Sequence, residues 1–200
     1  MTAAVERPHL GADMTGNVVF IGFALAGIDG FALLPSVIAV VGFVVGAVGG
    51  GTLTQRFGNS RPLLLRNALG IQFTLLAGCL VVSLFVHLRQ GGPVATTAVA
   101  GVATAAMGLQ TATARRIGVP DITTSVVTMT LTGFAADHRR TDAALRRGAV
   151  VLSMLIGALC GALLVAHIGS HAGFIAVLVV LGGVGITAAL LARHEQPWHA

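Results

Sequence analysis

The sequence has no lysine and no tyrosine, and it is poor in charged residues and in cysteine. Charged residues make up 10% of its 200 residues, whereas a soluble globular domain carries about 25%. The two cysteines, Cys79 and Cys160, both lie inside apolar runs, so a disulfide framework and a cysteine-ligated zinc site are excluded. The shortage of charge therefore argues against a soluble domain.

What the sequence does contain is apolar surface: 55% of the residues are hydrophobic and 27 are glycine. The formal net charge of +5 could suggest a nucleic-acid partner. However, the arginines lie in short loops between apolar runs, which is the placement that membrane topology requires. We therefore predict an all-α integral membrane protein, a polytopic helical bundle that contacts the lipid bilayer and binds no nucleic acid.

Five runs are long enough to cross a bilayer, since a spanning helix needs roughly 20 predominantly apolar residues. The last two belong to one uncharged stretch that breaks at 167–171, so they are predicted to form a helical hairpin. The predicted full spans are 34–53, 63–88, 93–113, 148–167 and 172–192.

Two further uncharged segments, 14–28 and 122–136, are too short to span. As helices their 15 residues would reach about 22 Å, less than the ~30 Å hydrocarbon core. Both begin with small polar residues that can cap a helix N-terminus. We predict two half-helices or re-entrant segments. The alternative is a pair of ordinary spans whose threonines hydrogen-bond to their own helix.

The arginines form three clusters, and the positive-inside rule places such clusters in the cytoplasm. The rule predicts that loops 54–62, 114–121 and 137–147 and the C-terminus are cytoplasmic. The third cluster agrees with the other two only if segment 122–136 enters and leaves the membrane by the same face.

An internal repeat at an offset of 111 residues supports a duplicated construction, because Gly22-Phe23-Ala24 recurs as Gly133-Phe134-Ala135. Duplicated apolar units are typical of secondary transporters. An odd number of spans per unit predicts an inverted repeat. The predicted organisation is a polar tail at 1–13, an incomplete first repeat at 14–90, a second repeat at 91–192 and a tail at 193–200.

The same offset relates two ladders of small residues, which permit close approach of helices. We expect both to be packing seams and to face each other about the pseudo-two-fold axis. The first ladder is Gly42, Gly46 and Gly50, and the second is Ser153, Gly157 and Gly161.

Several segments together resemble the YoaK family of multi-pass bacterial membrane proteins of unknown function: Met14-Thr15-Gly16-Asn17, Gly108 to Thr113, Arg115-Arg116, Gly118 to Asp121 and Thr130 to Gly133. The resemblance implies a bacterial inner-membrane protein and names no substrate. The family pattern usually starts with a further span before the first of these segments. Here residues 1–13 are polar, so we expect this chain to lack that span.

No phosphate loop, zinc-protease signature or nucleophile elbow is present, so we expect no enzyme activity, cofactor or metal. Two-fold-related half-helices would bring their N-termini together near the midplane, where free N–H groups suit an anion or a small polar solute. The function predicted is a transporter or channel, and the alternative is a non-transporting scaffold or complex subunit; a homo-oligomer stays open. The predicted solute-site residues are Thr15, Gly16, Asn17, Gln110, Thr124 and Thr128.

Overall fold

The computed structural model describes residues 14–31, 33–58, 60–88, 92–117 and 141–194. Within these residues the chain is helical, with no strand. The six helices in the described part are α1 (Met14–Leu25), α2 (Leu33–Phe57), α3 (Arg61–Leu88), α4 (Pro93–Ile117), α5 (Thr141–His167) and α6 (Ser170–His194).

Helices α2 to α6 are each long and apolar enough to cross a membrane, which confirms the predicted all-helical, polytopic fold. Their outward faces carry large apolar side chains, for example Val44, Leu155 and Val180, as contact with lipid requires. Helix α4 extends beyond its predicted end to include Arg115 and Arg116 in its last turn. Long arginine side chains can reach the interface from such positions.

Helix α1 is the predicted short element, with 12 residues and a length of about 18 Å. It ends before Gly27 and Gly30, whose positive φ angles of 75° and 94° reverse the chain. After this turn the Phe31 ring packs against two phenylalanine rings of α1, with centroids 5.1 to 5.3 Å apart. Among the described helices, α1 contacts α2 alone.

The centre of the bundle is formed by α2 and α4, which run side by side in the same direction. Residue numbers increase together along the contact, in the pairs Gly42 with Gly101, Gly46 with Ala105 and Gly50 with Leu109. Helix α3 connects them and runs antiparallel to α4, because Gln72 lies beside Gln110 while Cys79 lies beside Val99.

The other two long helices lie outside this centre. Helix α6 packs on α3, and α5 contacts only α6 among the described helices. A groove pairs the first half of α3 with the second half of α6, as expected for antiparallel helices with level ends. Only Ile168 and Gly169 join α5 to α6. Two spans connected this closely must cross a bilayer in opposite directions.

Arginines mark one end of the bundle, which we call the arginine end. Helices α2 and α4 end there and α3 begins there. The Nε of Arg116 lies 3.3 Å from the position of a Cβ on Gly58, so the first two arginine clusters are close together. The arginines concerned are Arg56, Arg61, Arg66, Arg115 and Arg116.

Because α6 is antiparallel to α3, α6 also ends at the arginine end and α5 begins there. The chain therefore leaves α4 at Ile117 and enters α5 at Thr141 at one and the same end of the bundle. The re-entrant prediction for 122–136 requires this arrangement. The segment itself lies outside the described residues.

The 111-residue offset relates α2 to α5 and α3 to α6. Helix α2 runs toward the arginine end and α5 runs away from it, the opposite sense that an inverted repeat requires. The two related helices α3 and α6 contact each other. The repeat itself, and the domain boundaries drawn from it, stay predictions.

Candidate functional site

The contact between α2 and α4, here called the α2–α4 seam, is close because the facing positions carry almost no side chain. A Cβ at Gly46 would overlap the backbone of Ala105, and one at Gly108 would overlap the backbone at Phe43. At Gly50 a Cβ would stand 2.8 Å from the carbonyl oxygen of Leu109. Close backbone contact on both helices fixes which face of α4 turns away from α2.

Threonine hydroxyls on α4 are bonded within their own helix. Thr104, Thr111 and Thr113 each donate to a carbonyl oxygen three or four residues earlier, at 2.8 to 2.9 Å. Such bonds satisfy a hydroxyl inside an apolar medium without another helix. These three hydroxyls therefore serve the helix rather than a ligand.

One polar interaction does join two membrane helices: Gln72 Nε2 of α3 donates to Gln110 Oε1 of α4 at 2.9 Å. Gln72 is only 4% exposed, whereas Gln110 is exposed. Gln72 lies about 17 Å along the helix axis from Arg61 at 1.5 Å per residue, near the middle of the 28-residue α3. The pair therefore places an uncovered amide at mid-membrane depth.

The hydrogen-bonding capacity of this pair is larger than the one bond uses. A primary amide has two N–H donors and a carbonyl acceptor, so the Gln110 nitrogen can still donate. An amide group facing hydrocarbon costs several kcal/mol, of the order of 2–7. Polar groups at this depth are therefore found facing protein or a water-filled cavity.

Gln72 was missed in the sequence, where span 63–88 was taken as uniformly apolar. The signal was available, because a single uncharged amide in the middle of a long apolar run is expensive and needs a partner. The search considered ionisable groups alone. Gln110 was found, but through its place in the segment Gly108 to Thr113 and not through its partner.

The other predicted solute-site residues lie in two places. Thr15, Gly16 and Asn17 form the first turn of α1, and Asn17 is 1% exposed, with its Nδ2 4.0 Å from Met14 Sδ. In the described structure α1 has no contact with α4, so these residues do not touch Gln110. The two remaining residues, Thr124 and Thr128, lie outside the described residues.

The second glycine ladder requires a correction. No described atom comes within 4 Å of a Cβ built on Gly157 or Gly161, and Ser153 is exposed with its hydroxyl bonded to the carbonyl of Val150. The first ladder packs against α4, so the expectation that the two ladders face each other is wrong for the described residues. The physical reason is that α4 carries its own small residues in matching register, and α5 has no such neighbour there.

Comparison with known proteins identifies the family. The profile of DUF1275, described as a protein of unknown function, matches residues 10–188, and the chain belongs to this family. Neither the curated proteins nor the solved structures gave a match. The family and the five candidate spans together make this a multi-pass membrane protein of a family without an assigned activity.

Proposed function

We propose that this membrane protein is a transporter or channel for a small polar or anionic solute. The observation that carries the proposal is the exposed amide of Gln110 at mid-membrane depth, hydrogen-bonded to Gln72. An amide in this position is costly against lipid and favourable against a hydrated path. The pair can offer a passing solute both donors and acceptors.

The finer form of the proposal places the solute between two half-helices. Helix α1 is too short to span, and its first turn, with Thr15 and Asn17, presents free N–H groups that suit an anion. The second half-helix is the predicted segment 122–136. Its ends at Ile117 and Thr141 lie at one end of the bundle, which supports a re-entrant path.

The orientation and location belong to the same proposal. The arginine end faces the cytoplasm of a bacterial inner membrane, as the positive-inside rule favours, and the protein is a YoaK-like member of its family. It acts without catalysis. The alternative function is a scaffold or complex subunit, favoured by the uncovered apolar face of α5, where no residue from Gly148 to His167 is buried by the described residues.

The test is flux through liposomes that contain the purified protein. Light scattering follows glycerol and urea entry, and electrodes follow chloride. Gln110→Met and Gln72→Met keep the length of the side chain but remove the amide. We expect either variant to lower the protein-dependent flux about fivefold or more, the factor that corresponds to one hydrogen bond of about 1 kcal/mol.

Gln55→Met is the matched control, because Gln55 is exposed on the last turns of α2 and far from the pair. Its flux should equal that of the parent protein. Thermal unfolding in detergent must show that all three variants stay folded. If the parent protein carries none of these solutes, or if all three variants carry them equally, the transport proposal fails and the scaffold alternative leads.

A further inference from the structure

Two grooves on the outer surface of the bundle meet at Arg66 and Gly70. One lies between α3 and α6 and has a volume of about 520 Å³; the other runs along α3 beside the end of α2 and has a volume of about 570 Å³. Both are lined by Arg66 and Gly70. The grooves therefore pass down the two sides of one helix and join beneath one arginine.

The depth of the first groove comes from missing side chains. Gly70 of α3 and Gly182 and Gly185 of α6 line it, and a Cβ on any of them would meet no described atom within 4 Å. Glycines at a packed seam behave in the opposite way, as at Gly46. Here the absent side chains leave open space between two apolar helices, and in a membrane such space is filled by hydrocarbon.

The charge at the head of the grooves is positive. Arg66 is exposed and makes no ion pair within the described residues. It lies about 7.5 Å along α3 from Arg61 at 1.5 Å per residue, which places its guanidinium near the boundary between headgroups and hydrocarbon. A guanidinium at this level can form a bidentate pair with a phosphate.

We propose that this surface binds one anionic diacyl phospholipid from the leaflet at the arginine end. Arg66 holds the headgroup phosphate, and the two acyl chains lie in the two grooves on either side of α3. Basic positions between membrane helices are the surfaces that recognise anionic headgroups. The proposal rests on the membrane fold and on the Arg66 geometry, and it does not depend on transport.

The experiment is native mass spectrometry of the protein in detergent, titrated with dioleoyl phosphatidylglycerol or dioleoyl phosphatidylcholine. For the parent protein we expect one retained phosphatidylglycerol and about a fivefold preference over phosphatidylcholine, the factor expected from one arginine near the surface. Arg66→Gln should abolish the preference, and Arg66→Lys should keep part of it. Arg115→Gln, which removes an exposed arginine at the same end outside the grooves, should leave the preference unchanged.

A second pair of variants tests the grooves. Gly70→Leu fills the point where they join and should lower the retention of both lipids, although Arg66 is intact. Gly78→Leu, two turns further along α3 and also facing open space, should retain lipid like the parent.

Three outcomes would overturn the proposal. The first is equal loss of the preference in Arg66→Gln and Arg115→Gln, which would indicate a general charge effect. The second is unchanged retention in Gly70→Leu. The third is displacement of the lipid by millimolar inorganic phosphate, which would indicate a site for a free anion.

Discussion

The two glycine ladders have the same spacing along the chain and different surroundings in the bundle. At Gly46 a single added carbon would overlap the backbone of α4, whereas at Gly157 it would meet no described atom. The difference lies in the facing helix. Helix α4 presents Gly101, Ala105 and Gly108 in step with α2, so both backbones can approach. A ladder on one helix is therefore half of a packing signal, and the matching ladder on a neighbour is the other half.

The comparison presumes that the seam and the α5–α6 hairpin cross the same membrane, and labelling can break that presumption. In a background with Cys79→Ala and Cys160→Ala, single cysteines are introduced as Ser60→Cys, Gly92→Cys and Ile168→Cys. An impermeant maleimide applied outside should label the second and third fully and the first only after permeabilisation, because Gly92 and Ile168 lie opposite the arginine end. Labelling of Gly92→Cys and Ile168→Cys from different sides would show that the hairpin is oriented wrongly here.

A matched pair of alanine substitutions tests the comparison itself. Gly46→Ala should lower the free energy of unfolding by about 1–3 kcal/mol, because the new methyl group meets backbone that cannot rotate away. Gly157→Ala should be neutral or raise it by up to about 1 kcal/mol, as alanine favours a helix. Unfolding in mixed micelles, followed by circular dichroism, measures both.

Gly49→Ala serves as the control within α2, because its Cβ would meet no described atom within 4 Å. It should behave like Gly157→Ala. Equal destabilisation at Gly46 and Gly157 would contradict the contrast between the two ladders.

The smallest expected effect is at the edge of the seam. A Cβ at Gly101 would stand 2.8 Å from Cγ2 of Ile38, the end of a side chain that can move. Gly101→Ala should therefore cost less than about 1 kcal/mol. In the double variant with Ile38→Ala the two changes should couple favourably by about 0.5 kcal/mol. A double-mutant cycle measures this, and strict additivity would mean that Ile38 does not contact Gly101.

The sequence was sufficient for the helices and insufficient for their neighbours. Length and apolar composition predicted the five spans, because a bilayer fixes both, and the short run after Asp13 predicted α1. The partner of the first ladder was wrong, since periodicity shows which face of a helix is small and not which helix it meets. The same limit hid the pair of Gln72 and Gln110, which are 38 residues apart in the chain and become neighbours only when α3 turns back along α4.

The parallel contact of α2 and α4 also constrains how the protein is made. About sixty residues separate Gly46 from Ala105, which at 5–20 residues per second is roughly 3 to 12 seconds of synthesis. Throughout that delay α2 has already left the ribosome while its partner has not, and its bare glycine backbone is open to any other helix nearby. The seam is thus a late event in membrane insertion, and the cell must keep α2 from a wrong neighbour until α4 arrives.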